Sequence, residues 1–198
     1  DIDPIKIQTA AVASDKALKS WREHTMSNRT QWCVISVPTA GWAKRVFPEY
    51  TEELATDALW EAIFNAVRVH EDNDPVSEWE KHNETLHNHN EALNNYNFKS
   101  LHFKNSLGTD LVVELVKNHV WAGGNEKSTK GVVFNPNMPT EETFTMPYKY
   151  GVNGRVYASK PLNYNGNLIR DFWLEFKDGK VVDYDAKDAK DALKSLLE

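Results

Sequence analysis

Two adjacent glutamates, Glu141 and Glu142, lie in a proline-rich segment spanning residues 136–147, which we term the proline loop. Three prolines among these twelve residues stiffen the segment, because each proline fixes φ and removes a backbone donor. A carboxylate on a stiff loop can be held ready for a metal ion, an ammonium group or an acid–base step. Neither glutamate is followed four residues later by a lysine, so a surface helix pair does not account for them. The competing interpretation is a solvated turn, which is the commoner role of glutamates in general.

Other groups that could carry chemistry show weaker patterns. His82, His87 and His89 form a cluster, but metal-binding histidines on a helix are typically four residues apart, so a solvated helix flank is expected instead. The polar stretch 123–131 lacks the Gly-Lys-Ser/Thr order of a phosphate-binding loop. Cys33 lies in an apolar run and is expected to be buried, so no nucleophile–base pair is indicated.

Composition excludes several classes of partner. The 198 residues are 40% hydrophobic and 26% charged, which is typical of a globular protein. A formal net charge of −6 argues against nucleic acid or an anionic membrane surface as the partner. No apolar run is long enough to span a bilayer. The single cysteine rules out an internal disulfide framework and favours a reducing, cytoplasmic location.

The first hundred residues are predicted to combine several helices with one buried strand. The apolar run 32–37 has strand length and the continuous pattern of a strand buried on both faces. Helices are predicted over residues 8–27 and 41–47. Two longer helices follow, one capped by Thr51 and one capped by Asp74 with a proline in its first position.

The remainder of the chain has the pattern of an antiparallel sheet. The dipeptides Asn165-Gly166 and Asp178-Gly179 favour the positive φ values of two-residue hairpin turns. They predict a three-stranded antiparallel meander from about residue 152 to 184. A terminal helix is predicted from Ala186.

The predicted fold class is therefore α/β to α+β, with a change of character near residue 100. The N-terminal part contains the buried strand and several helices. The C-terminal part is mainly antiparallel β with hairpins and a terminal helix.

The segments around the two glutamates also match a known family. The motif Pro136-Asn-x-Pro-Thr-Glu-Glu-x-Phe-Thr-x-Pro147 is preceded by Gly108-Thr-Asp-Leu111 and Gly123-Gly124. Together these segments resemble the aminopeptidase T / AmpS / PepS family of metal-dependent aminopeptidases. The resemblance covers nearly the whole chain and includes the pairs Pro38-Thr39, Phe47-Pro48, Arg68-Val69, Asp74-Pro75 and Pro161-Leu162.

This resemblance implies a two-metal aminopeptidase that acts on peptides with a free N-terminus. In the family, two divalent ions, zinc or cobalt, activate a water for attack on the first peptide bond. One metal-ligating glutamate of the family maps onto Glu142 or Glu141, with Glu142 preferred. The resemblance further implies a homodimer. Residues 1–100 would be the end of an N-terminal α/β domain, and residues 101–198 the beginning of a β-rich catalytic domain.

The family's remaining ligands lie in motifs that have no counterpart in this sequence. The chain is therefore expected to be an internal fragment that is inactive alone, and no catalytic residue is assigned within it. The alternative is a non-catalytic α+β binding or scaffolding module, which the full-length reading frame would distinguish. A third hypothesis, a carbohydrate-active protein, rests on the seven tryptophans, most of which are expected in the core instead.

Overall fold

A computed structural model describes residues 4–198, which form six helices and eight strands. The helices are α1 (Pro4–Ala17), α2 (Lys19–Met26), α3 (Ala40–Val46), α4 (Glu52–Ala66), α5 (Pro75–Tyr96) and α6 (Lys190–Leu197). The strands are β1 (Ser100–Lys104), β2 (Asp110–Leu115), β3 (Glu126–Lys127), β4 (Val133–Phe134), β5 (Pro147–Tyr157), β6 (Leu162–Tyr164), β7 (Asn167–Lys177) and β8 (Lys180–Asp188). Helices followed by a mainly antiparallel sheet and a terminal helix confirm the predicted fold class.

The described chain divides into two compact units. The first, which we term the helical unit, contains Ile7–Ala92 and Trp121–Phe144. The second, the sheet unit, contains Leu93–Val120 and Thr145–Glu198 together with the start of α1. The two glutamates of the proline loop belong to the helical unit. The assignment of residues 1–100 and 101–198 to two domains of a parent enzyme stays a prediction.

The helical unit has a core between α3 and α4. Ala43, Ala55 and Leu59 are buried there, and Phe47 and Ile63 pack against them. The predicted Thr51 cap is present, since its side chain accepts a hydrogen bond from the Leu54 amide at 3.3 Å. Trp79 and Leu86 of α5 are also buried.

The sheet unit contains one antiparallel sheet in the order β1-β2-β5-β7-β6, with β8 also paired to β7. Both predicted turns are present, with positive φ at Asn165-Gly166 and at Asp178-Gly179. The predicted meander is confirmed, although its first strand is divided into β5 and β6. Ile169 of β7 and Leu193 of α6 are fully buried.

The prediction of a strand buried on both faces at residues 32–37 is wrong. The run makes one isolated parallel bridge, Val34 with Asn137, and Val34, Ile35 and Val37 are 59%, 60% and 53% exposed. An apolar run shows a preference for burial, but burial on both faces requires strands and layers on either side. Among the described residues, the proline loop alone pairs with this run.

Two helix boundaries also differ from the sequence-based prediction. The helix predicted over residues 8–27 is two helices, α1 and α2, divided at Leu18. The terminal helix begins at Lys190 rather than at Ala186, because the ladder between β7 and β8 continues to the pair Arg170–Asp188. Among residues 4–198, no helix combines the length and the apolar character that crossing a bilayer requires.

Candidate functional site

Main-chain hydrogen bonds fix the proline loop on both sides of its two glutamates. On the N-terminal side, the Val34 amide donates to the Pro136 carbonyl at 2.8 Å, and the Met138 amide donates to the Val34 carbonyl at 3.0 Å. On the C-terminal side, Ala122 and Phe144 exchange two such bonds, at 2.9 and 2.8 Å. The segment that carries Glu141 and Glu142 is therefore held at both ends.

Side chains from α5 and from the end of α4 hold the middle of the loop. Nε2 of His82 lies 2.7 Å from the Thr140 carbonyl oxygen. Because a carbonyl oxygen can only accept a hydrogen bond, this nitrogen carries a proton and is the donor. Nη2 of Arg68 lies 2.6 Å from Oε1 of Glu141. The second oxygen of Glu141 lies 3.5 Å from Nε2 of His82. Both oxygens of the Glu141 carboxylate therefore face positively polarised groups of the protein itself.

Glu142 has a different environment from its neighbour. It lines a cavity of about 280 Å³ within the helical unit, together with Asn28, Trp32, Glu126 and Phe144. The Glu126 carboxylate accepts a hydrogen bond from the side-chain amide of Asn28. The Glu142 side chain forms no hydrogen bond or ion pair with any other of the residues 4–198. Its carboxylate is thus the one of the pair that remains available to a ligand.

The backbone at Glu142 is packed against a glycine. A Cβ atom at Gly123 would lie 2.3 Å from the carbonyl oxygen of Glu142 and 3.1 Å from Cα of Thr143. The Gly123 carbonyl in turn accepts a hydrogen bond of 3.0 Å from the side-chain amide of Asn90, which is buried. The loop can come this close because position 123 has no side chain.

The carboxylates of the proline loop are the groups here that could bind a metal ion. A carboxylate oxygen is a suitable ligand for a divalent ion such as zinc. However, no group of three or more His, Cys, Asp or Glu side chains in the described part of the chain is placed to hold a metal ion. A co-catalytic pair requires several ligands around two ions. Glu142 has a carboxylate that could serve as one ligand, and the described residues do not complete a metal site.

Two sequence-based expectations about other groups are corrected by the structure. His82 is not part of a solvated flank: its side chain is only 11% exposed and contacts the proline loop, whereas His87 and His89 are exposed. Cys33 is exposed rather than buried. Partial desolvation nevertheless raises the pKa of its thiol, so the thiol is protonated at neutral pH and is a poor nucleophile.

Sequence reasoning missed Arg68 and His82 as partners of the loop. Both lie about sixty to seventy positions before it, and neither forms a recognisable motif with it. The structure, and not the sequence, distinguishes Arg68, which lies just after α4 with a φ of 60°, at a position where helices usually have glycine.

Comparison with known proteins gives a consistent result over the whole chain. The Peptidase M29 family, described as thermophilic metalloprotease, matches residues 1–198. Aminopeptidase 2 of Geobacillus stearothermophilus is 49% identical over 198 residues, which is 100% of this chain and 48% of that protein. Aminopeptidase AmpS of Bacillus subtilis is 44% identical over 197 residues, again 100% of this chain and 48% of the relative.

A solved structure shows the same fold. Wild-type AmpT from Thermus thermophilus superimposes with a TM-score of 0.90 at 39% sequence identity. The superposition covers 98% of this chain and 47% of that chain. The present chain thus spans about half the length of the relatives it matches.

Proposed function

Because the chain belongs to the thermophilic metalloprotease (M29) family, we propose that it is part of an aminopeptidase that removes N-terminal residues from peptides. The observation that carries this proposal is the family match over residues 1–198, which includes the glutamate pair of the proline loop. The relatives are named aminopeptidases, and the chain covers about half of each. Peptides with a free N-terminus are the proposed substrates.

We assign the two glutamates different roles in this enzyme. Glu142 is the metal ligand, supported by its position on the 280 Å³ cavity and by its lack of a partner among residues 4–198. Glu141 holds the loop, supported by its ion pair with Arg68. Two divalent ions, zinc or cobalt, held in part by Glu142, would supply the activation of a water and the polarisation of the carbonyl of the first peptide bond. This chain's part is to present one carboxylate in a fixed position.

The 198-residue chain alone is inactive in this proposal. The support is that no group of three potential ligands occurs in the described part of the chain, whereas a metal pair needs more. The test is an assay with an aminoacyl chromogenic substrate in the presence of zinc or cobalt. The full-length parent serves as the positive control. Turnover by the 198-residue chain that a chelator abolishes would contradict the proposal.

Assembly and location of the parent enzyme are also proposals. The family resemblance supports a homodimer, and the single cysteine supports a cytoplasmic location. Sedimentation of the full-length protein with and without metal tests the dimer. A monomer at all concentrations would contradict it.

A further inference from the structure

We propose that Arg68 is a positioning residue for the metal ligand Glu142, acting through Glu141. The inference rests on the proposed function, because it takes Glu142 as the ligand. It goes beyond that function by naming a side chain distant in sequence that determines where the ligand lies.

Arg68 occupies a backbone position at which a side chain is disfavoured. Its φ is 60°, in the left-handed region. Its amide donates to the Asn65 carbonyl and the Val69 amide donates to the Phe64 carbonyl, the pair of bonds with which helices end at a glycine. An arginine here is destabilising relative to glycine. The presence of arginine at a position that favours glycine indicates that the Arg68 side chain has a role of its own.

The surroundings hold Arg68 in one orientation. The Arg68 carbonyl accepts a hydrogen bond of 3.0 Å from the side-chain amide of Asn73. The indole nitrogen of Trp79 donates to the Val67 carbonyl at 2.7 Å, and the Arg68 guanidinium lies over the same indole, 5.6 Å from the ring centroid. Trp79 itself is buried. The guanidinium is therefore directed by a fixed backbone and a fixed aromatic ring.

This directed guanidinium reaches the residue next to the proposed ligand. Arg68 binds the Glu141 carboxylate, and His82 binds the carbonyl of Thr140. Contacts from α5 and from a residue that follows the end of α4 therefore fix Thr140 and Glu141, the two residues before Glu142. The bridge between Ala122 and Phe144 fixes the chain two residues after it. Fewer backbone conformations remain for Glu142 than in a loop without these contacts.

The contribution of the ion pair to global stability is expected to be small. Glu141 is 61% exposed, and exposed ion pairs contribute little to the free energy of unfolding. Groups that orient metal ligands affect metal binding much more strongly, typically about 10- to 100-fold in affinity. A positioning role therefore predicts a large effect on metal binding with a small effect on the unfolding of the metal-free protein.

The test uses the full-length enzyme and the variants Arg68→Ala, Arg68→Lys, Glu141→Gln and the double variant Arg68→Ala/Glu141→Gln. Affinity for Zn²⁺ is measured by competition with a chromophoric chelator, and the Co²⁺ form is examined by its visible absorption spectrum. Arg68→Ala is expected to weaken Zn²⁺ binding about 10- to 100-fold and to change the Co²⁺ spectrum. Arg68→Lys is expected to restore part of the affinity, because the charge is kept while the planar fork is lost.

The double variant tests whether Arg68 acts through Glu141. If it does, Arg68→Ala/Glu141→Gln loses no more affinity than the stronger of the two single variants. The matched control is Glu91→Gln, which alters an exposed contact between Glu91 and His87, two residues of α5 that do not touch the proline loop. This control is expected to keep the wild-type affinity and spectrum.

Two results would overturn the inference. Zn²⁺ affinity of Arg68→Ala within twofold of the wild type, or additive losses in the double variant, shows that Arg68 does not position the ligand. Glu142→Gln separates this failure from that of the proposed function. If Glu142→Gln loses metal while Arg68→Ala keeps it, the inference alone fails. If Glu142→Gln binds metal as the wild type does, the assignment of Glu142 fails as well.

Discussion

Replacing Gly123 by alanine would place a methyl group against the backbone of the proline loop. The new Cβ atom would lie 2.3 Å from the carbonyl oxygen of Glu142 and 3.2 Å from its carbonyl carbon. Both neighbours are main-chain atoms, so rotation of a side chain cannot relieve the contact. The φ of Gly123 is not in the left-handed region, so alanine introduces a steric effect without backbone strain at its own position.

The size of the effect follows from the distance. A carbon and a carbonyl oxygen approach to about 3.3 Å without repulsion. The backbone of Glu142, Gly123 or both must therefore move by about 1 Å. Overpacking of this kind costs about 1–3 kcal/mol of stability. A displacement of about 1 Å at a reacting centre can reduce the rate about 100-fold.

The assay compares kcat/KM and the free energy of unfolding of the full-length enzyme with those of Gly123→Ala. Gly41→Ala is the matched control, because a Cβ atom at Gly41 has no heavy atom within 4 Å. The control is expected to keep the wild-type activity and stability, or to gain stability from the helix preference of alanine. If Gly123→Ala behaves as Gly41→Ala does, the close packing of the loop does not determine the position of Glu142.

Three further predictions follow from the described contacts. In the full-length enzyme, Glu142→Gln is expected to abolish metal binding and activity, which metal analysis and a turnover assay check. The free energy of unfolding of the metal-free protein is expected to change by less than about 0.5 kcal/mol, because a loop carboxylate adds little to the core, and denaturation of the metal-free protein checks this. Gly166→Val is expected to lower the free energy of unfolding by about 1–2 kcal/mol through its positive φ alone, and Gly179→Val by more, because its Cβ atom would also lie 1.7 Å from a backbone carbonyl oxygen. Urea midpoints in any other order would contradict this prediction. Hydrogen bonds lower the pKa of Asp74, and the bond from the Ser77 hydroxyl has the largest effect, so this cap stabilises the fold above the unfolded pKa of about 3.9 and loses its contribution as the pH falls through the lower folded value. Asp74→Asn should therefore lose less stability than the wild type between pH 5 and pH 2.

Local patterns of the sequence predicted the elements of the sheet unit well. The turns at Asn165-Gly166 and Asp178-Gly179 depend on residues adjacent in sequence, and both are present with positive φ. The same holds for the Thr51 cap, whose partner lies three residues away. Such features could be predicted because the residues that determine them lie within one turn of the chain.

Features that depend on distant partners could not be predicted in this way. The run at residues 32–37 has the composition of a buried strand, yet Val34 and Ile35 are exposed, because burial depends on neighbours that local pattern does not specify. Similarly, the ion pair between Arg68 and Glu141 joins residues 73 positions apart. The sequence identified the glutamate pair as a candidate, but the different environments of its two members appear only when α4, α5 and the loop are placed together.

In the proposed enzyme, Glu142 binds a metal ion while Glu141 remains paired with Arg68. Anomalous diffraction at the zinc or cobalt absorption edge, on crystals of the full-length enzyme, measures this directly. The expected result is an anomalous peak about 2.0–2.2 Å from a carboxylate oxygen of Glu142, with Glu141 still paired to Arg68. A peak bound by Glu141 instead, or a metal site that neither glutamate reaches, would contradict it.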